Sequence, residues 1–356
     1  MITLINEEIQ NLTDQECIDR IRAHKERLGN ELLILAHNYQ RYDIVALSDY
    51  YSDSLDLARR GKEAVEAKSI IFCGVHFMAQ TTRVLAASHQ RVFLPNHLAG
   101  CPLSDFAEID QAETAWEEVT RVVGVENLVP IAYVNSTVLI KAVCGRNGGT
   151  ICTSANAKKV FTHYLNQNKR ILFMPDEHLG HNTAVQLGIP HDQIALYDPS
   201  KENGGLTNDQ INRARVILWK GFCHVHTHFT PELIRGMRER YPDAVVIVHP
   251  ECPEPTVKAA DLVGSTKFMS EYVKTAEAGK TIVIGTEVNH VRNLAIQNPH
   301  LRIIELSRSL CPNMFKINLK NLLYTLDNLG EVNEVFVKED IRQDALKAVE
   351  KMFEIA

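Results

Sequence analysis

Internal repetition constrains this chain most, because a repeated unit fixes both the fold and the place where equivalent loops can meet. Three apolar runs end in polar residues able to do chemistry: LLILAHNY to Tyr39, LVPIAYVNS to Ser136 and AVVIVHPE to Glu251. Each reads as a buried strand leading into a loop. A small hydroxyl cluster then opens a helical pattern in each copy: Ser52-Asp53-Ser54, Thr153-Ser154 and Ser265-Thr266. Ser, Thr and Asp are favoured N-caps because a side-chain oxygen accepts an otherwise unpaired backbone N–H. A second strand follows (SIIFCGV, RILFMPD, TIVIGTE), then another helical stretch and a third strand (RVFLP, RVILWKG, LRIIELS). Shortly after each third strand stands a cysteine: Cys101, Cys223 and Cys311.

The first and third copies, His37 to Cys101 and His249 to Cys311, are nearly equal in length. The middle copy, Tyr133 to Cys223, is longer, and its excess falls in GRNGG at 145–149 and DPSKENGGLTNDQ at 198–210. Their Gly, Pro and Asn content reads as loop insertion. The expected fold is α/β: three pseudo-threefold-related domains, each a three-layer αβα unit with a parallel sheet. The expected boundaries are 1–110, 111–230 with the insertions, and 231–325. The N-terminal helix and the charged tail 326–356 are expected to pack together on the first domain.

Threefold packing would bring equivalent loops together, and with them Cys101, Cys223 and Cys311. Thiolate is the soft ligand among side chains, so three of them suit an iron–sulfur cluster. A [4Fe–4S] cluster normally takes four cysteines; three leave one iron to act as a Lewis acid in dehydration or condensation chemistry. The capped helices complement this, since a helix N-terminus favours carboxylates and phosphates. The positions three beyond Ser54, Ser154 and Ser265 are Leu57, Ala157 and Phe268, so no capping box occupies those amides. A small polyanionic substrate is expected. Acid–base candidates sit on the strand tips: His37 and Tyr39, Tyr133 and Asn135, His249 and Glu251. A competing zinc reading comes from His224, His226 and His228 in CHVHTH, which on a strand would share one face.

Composition narrows the partners. The chain has 356 residues with Lys+Arg 38 against Asp+Glu 44, a net charge of −6. Without basic runs, duplex nucleic acid is an unsuited partner, since that binding rests on phosphate neutralisation. No apolar stretch is long enough to span a bilayer, and the amino terminus lacks a secretory pattern, so a cytoplasmic setting is expected. The 8 scattered cysteines do not form a disulfide framework in such a chain.

Taken in order, LAHNYQ (35–40), SDSLDLAR (52–59), GVHFMAQT (74–81), LPNHLAGCPL (94–103), YVNS (133–136) and CTSANA (152–157) resemble the quinolinate synthase family. So do MPDEHLG (174–180), GFCHVHTHF (221–229), VHPECP (248–253), VGSTKFM (263–269) and CPNM (311–314). The resemblance implies three α/β repeats around one [4Fe–4S] cluster held by Cys101, Cys223 and Cys311. It implies condensation of iminoaspartate with dihydroxyacetone phosphate to quinolinate, phosphate and water, in de novo NAD biosynthesis. The imine would come from L-aspartate oxidase or aspartate dehydrogenase. His37, Ser54, Tyr133, Asn135, Ser154, His249, Ser265 and Thr266 correspond to groups holding carboxylates and phosphate. Tyr39 and Glu251, with His37 beside them, correspond to proton-transfer residues, and His226 is a further candidate. Cys152 and Cys252 fall outside the repeat phase and read as non-ligands; Cys144 is unassigned. Two other readings are a hydro-lyase acting on a different dicarboxylate and a non-catalytic iron or oxygen sensor.

Overall fold

A computed structural model describes residues 5–355. Residues 1–4 of the expected first domain and residue 356 of the expected tail lie outside the described residues. The described residues form two compact units, one from 5–101, 287–293 and 310–337, the other from 102–286, 294–309 and 338–355.

The first unit contains one parallel sheet of β1 (Leu32–His37), β2 (Tyr50–Ser52), β3 (Ser69–Cys73) and β4 (Arg91–Phe93), ordered β2-β1-β3-β4. All six residues of β1 are buried. A strand covered on both faces has to read as an unbroken apolar run, as LLILA does.

The second unit contains two parallel sheets. One comprises β5 (Leu128–Tyr133), β6 (Thr150–Cys152), β7 (Arg170–Met174), β8 (Ile194–Tyr197) and β9 (Val216–Trp219), ordered β6-β5-β7-β9-β8. The other comprises β10 (Val245–Val248), β11 (Leu262–Val263), β12 (Thr281–Gly285) and β13 (Arg302–Glu305), ordered β11-β10-β12-β13. The fold is therefore α/β with three parallel sheets, and the strand order of the first sheet recurs in the third.

The recurrence extends to single hydrogen bonds. In the first sheet Ile34 N–H donates to Asp49 Oδ2 at 2.7 Å while Asp49 N–H donates to Ile34 O at 2.8 Å. In the third, Val246 and Asp261 make the same exchange at 2.8 and 3.0 Å. In each sheet the chain leaves the first strand toward one edge and the next toward the other, a switch point that opens a crevice beyond the strand C-termini. His37 ends β1, Tyr133 ends β5, and His249 follows β10 at those crevices.

Four sequence expectations are corrected. Each repeat has a short edge strand (β2, β6 or β11) ahead of the hydroxyl cluster, too short to show in the apolar pattern. The middle repeat's excess is only partly loop: it carries β8, paired with β9, and a helix Asn208–Arg213 capped by Thr207. The terminal helix Glu339–Ile355 packs on the helix Val138–Arg146 and on β6 of the second unit, not on the first domain. Gly145 explains why: a Cβ there would stand 1.9 Å from Asp344 O, so only glycine lets the two helices approach. Thr150 Oγ1 then donates to Ala348 O at 3.0 Å.

The fourth correction concerns caps. Ser265 caps the helix Thr266–Thr275, accepting Phe268 N–H. Ser54 does not cap, because Asp53 precedes it and accepts the N–H groups of Leu55 and Asp56, both at 3.0 Å. Ser154 lies in a turn before the helix Ala157–Leu165, whose N-cap position is Asn156.

Candidate functional site

One connected group of buried polar side chains lies in the second unit. Tyr133, at the end of β5, donates its hydroxyl to Glu251 Oε1 at 2.5 Å. His226 Nδ1 meets Glu251 Oε2 at 2.9 Å, and its Nε2 meets Thr286 Oγ1 at 3.1 Å. The His226 and His249 rings stack with centroids 4.3 Å apart and planes at 15°. Tyr133, His226, His249, Glu251 and Thr286 are all buried.

Burial pushes the Glu251 carboxyl up, but the imidazoles of His226 and His249 and hydrogen bonds from His226 and Tyr133 outweigh it and bring it to about 2. It is a buried carboxylate held by its partners. An anionic Oε2 requires His226 to present Nδ1–H; its Nε2 then accepts from the Thr286 hydroxyl when the ring is neutral and donates to it when the ring is charged. The carboxylate thus fixes both the tautomer and the orientation of an imidazole able to exchange a proton.

His249 is fixed differently. Its Nδ1 accepts the Glu251 backbone N–H at 3.3 Å, which puts the proton of the neutral ring on Nε2. The first unit repeats that local geometry: Tyr39 N–H donates to His37 Nδ1 at 3.2 Å. Both loops close with the same turn, Gln40 N to His37 O and Cys252 N to His249 O. The Tyr39 ring stands edge-on to His37, with centroids 4.8 Å apart.

His37 and Ser54 are buried in the first unit and Tyr39 is half-buried there; Cys101 and Cys311 belong to the same unit. Tyr133, Asn135, Ser154, Cys223, His226, His249, Glu251, Ser265 and Thr266 belong to the second. There, Ser154 and Ser265 line one cavity of about 710 Å³ with Lys158, Lys258 and Lys267 in its wall, beside Glu254 and Glu271. Three lysines against two carboxylates leave a small positive excess, which suits an anion.

The cysteines divide by exposure. Cys101, Cys223 and Cys311 are half-buried, whereas Cys17, Cys73, Cys144, Cys152 and Cys252 are buried. Burial raises the Cys73, Cys144, Cys152 and Cys252 thiols, Cys144 to about 12, which disfavours the thiolate a metal needs. Burial raises Cys311 too, but backbone N–H groups of Met314 and Asn313 hydrogen-bond its sulfur and oppose the rise. Cys223 Sγ, a nitrogen of His226 and an oxygen of Glu251 all lie within 4.8 Å of one another, a set that could hold a metal ion.

The zinc reading of CHVHTH fails on geometry. His224–Thr227 is a helical turn, so only His226 points inward while His224 and His228 are exposed. His228 Nε2 instead meets Ser307 Oγ at 2.9 Å.

Three groups escaped the sequence reading: Asp176, Thr286 and Glu287. Asp176 is fully buried, and burial, reinforced by the Glu251 charge, pushes its carboxyl well up. Its Oδ1 caps the helix Glu177–Gln186 through Leu179 N–H, while Oδ2 has no hydrogen-bond partner among the described residues. In the first unit, burial pushes Glu287 up to about 8, opposed by N–H groups of Asn289, Cys311 and His290. The signal was available: RILFMPD and TIVIGTE end their strands in acids, in phase with one another.

The family model described as "Quinolinate synthetase A protein" matches residues 19–354. A quinolinate synthase of Corynebacterium glutamicum is 43% identical over 99% of this chain and 91% of its own length. One of Bacillus anthracis is 42% identical over 99% of this chain and 96% of its own, and one of Bacillus cereus is 41% identical over the same shares.

Proposed function

Because the chain belongs to the quinolinate synthetase A family, we propose that it condenses iminoaspartate with dihydroxyacetone phosphate to give quinolinate, phosphate and water in de novo NAD biosynthesis. The observation that carries this is the buried Tyr133–Glu251–His226–Thr286 chain within a family match spanning nearly the whole sequence. Building a pyridine from an imine and a three-carbon phosphate requires one C–C and one C–N bond. Protons must leave carbon, and departing oxygens must be protonated.

His226 is the group suited to move those protons, with Glu251 holding its Nδ1–H and Tyr133 holding Glu251. Asp176, whose carboxyl burial and the Glu251 charge push up, adds a second carboxyl group to the interior. In the first unit, His37 and Tyr39 share the local geometry of His249 and Glu251, which supports a proton-handling role for Tyr39 with His37 beside it. Ser54, Asn135, Ser154, Ser265 and Thr266 serve the carboxylates and phosphate. The cavity lined by Ser154, Ser265 and three lysines supports that assignment for those two serines.

Cys101, Cys223 and Cys311 hold a [4Fe–4S] cluster in this reading. The donor set fits: the three in-phase thiols are the half-buried ones, and N–H groups face the Cys311 sulfur. When bound, such a cluster supplies a Lewis-acid iron for removal of a hydroxyl. The strand order shared by the first and third sheets supports a three-repeat division at 1–110, 111–230 and 231–325. The setting is the cytoplasm, and the unstable imine calls for a supplier such as L-aspartate oxidase. Among the described residues no helix is long and apolar enough to cross a membrane.

The test is anaerobic assay of the iron-reconstituted protein with both substrates and direct detection of quinolinate. Turnover of another dicarboxylate in its place, or a cluster without turnover, would refute the reading.

A further inference from the structure

A second cluster of ligating side chains lies in the second unit, and its Glu254 also lines the cavity that holds Ser154 and Ser265. His181 is on the helix Glu177–Gln186, His191 opens the 3-10 turn His191–Gln193, and Glu254 opens the helix Glu254–Ala259. Three separate elements therefore each contribute one donor. His181 Nε2 lies 2.9 Å from Glu254 Oε2, and His191 Nε2 lies 3.3 Å from Glu254 Oε1. The two imidazoles stack at 5.3 Å with planes 14° apart, and all three ligand atoms fall within 4.8 Å of one another. We propose that His181, His191 and Glu254 form a zinc site that clamps these three elements together.

Tetrahedral zinc binds nitrogen and carboxylate oxygen at about 2.0–2.2 Å, which sets donor atoms roughly 3.3 Å apart. Donor atoms that lie within 4.8 Å of one another reach that spacing by movement of His191, whose side chain is exposed. Imidazole and carboxylate donors suit zinc over the hard cations magnesium and calcium. Glu254 Oε1 is met by the Lys258 ammonium at 2.7 Å and the His191 imidazole at 3.3 Å. A carboxylate oxygen keeps lone-pair capacity beyond such contacts, so a metal can still reach it. Beside His178, His181 and Glu254 lies a cavity of about 320 Å³, room for the water that would complete the shell.

Lys258 Nζ stands 2.7 Å from Glu254 Oε1 and competes for it. Its side chain is exposed and able to swing into solvent when a cation arrives. The clamp would bear on a loop of consequence. Asn182, one residue beyond His181, donates to Pro250 O and Cys252 O, both at 2.8 Å, and so brackets Glu251.

The test titrates Zn²⁺ against a chromophoric chelator, using the iron-loaded protein under anaerobic conditions with iron content followed throughout. One zinc per chain should bind with no loss of iron and should raise the Tm. His191→Ala should weaken binding at least tenfold and abolish the Tm increase, while its Tm without zinc stays at the wild-type value. Lys258→Ala should tighten binding several-fold by removing the competing cation. The proposal fails if the wild type binds no zinc, if zinc binds only as iron leaves, or if His191→Ala binds as tightly as wild type.

Discussion

Glu251→Gln tests the buried network most directly, because it removes a charge while keeping the shape. The fall of the carboxyl from an ordinary 4.5 to about 2 corresponds to about 3 kcal/mol of folding stability. The folded value lies below the unfolded one, so this contribution is complete above pH 4.5 and fades as pH falls toward 2. Glutamine can still accept from Tyr133, but its NH₂ then faces His226 Nδ1–H, and the imidazole must adopt the other tautomer. Proteins stripped of iron, since sulfide is lost in acid, should be compared by urea unfolding at pH 7 and pH 3. The wild type should exceed the variant by about 3 kcal/mol at pH 7 and by about 1 kcal/mol at pH 3. With the cluster present, turnover should fall at least about 100-fold while iron content is unchanged, as expected when a proton-transfer group is mis-set. A stability gap that is the same at both pH values would refute the claim that Glu251 is a partner-stabilised carboxylate.

Further predictions address the cysteines, a helix crossing and a cap. Cys101→Ser, Cys223→Ser and Cys311→Ser should each lose cluster iron on anaerobic analysis, whereas Cys73→Ser should keep full iron content despite lower stability. Gly145→Ala should cost at least about 2 kcal/mol by urea unfolding, because its Cβ meets Asp344 O, while Gly148→Ala, with open space around it, should cost about 1 kcal/mol. Asp53→Ala should destabilise by about 1 kcal/mol through loss of the cap on the helix Ser54–Glu63; Ser54→Ala should leave that cap intact, checked by thermal melts.

Strand-to-loop transitions were legible in the sequence because burial on both faces demands continuous apolar runs. LLILA, LVPIAY and AVVIV therefore announced β1, β5 and β10, and the polar residues after them announced the tips. The in-phase cysteines were legible for the same reason. Edge strands of two or three residues, such as Leu262–Val263, leave no such trace. Nor could composition reveal that ENGG and its neighbours flank an added strand, since β8 is half-exposed and its IALY pattern is short. The histidines of CHVHTH misled because alternation suggests a strand, while the chain makes one helical turn there.

The sequence alone determined the residue types, the triplicated order of strands and helices, and which positions recur in phase, because hydrophobic periodicity is a local property of the chain. Only tertiary structure decided that Glu251 meets Tyr133 and His226, that Asp176 is buried beside that charge, and that the terminal helix lies against Gly145. Those pairings join residues far apart in sequence. Their energies depend on distance and on exclusion of water, which no linear pattern encodes.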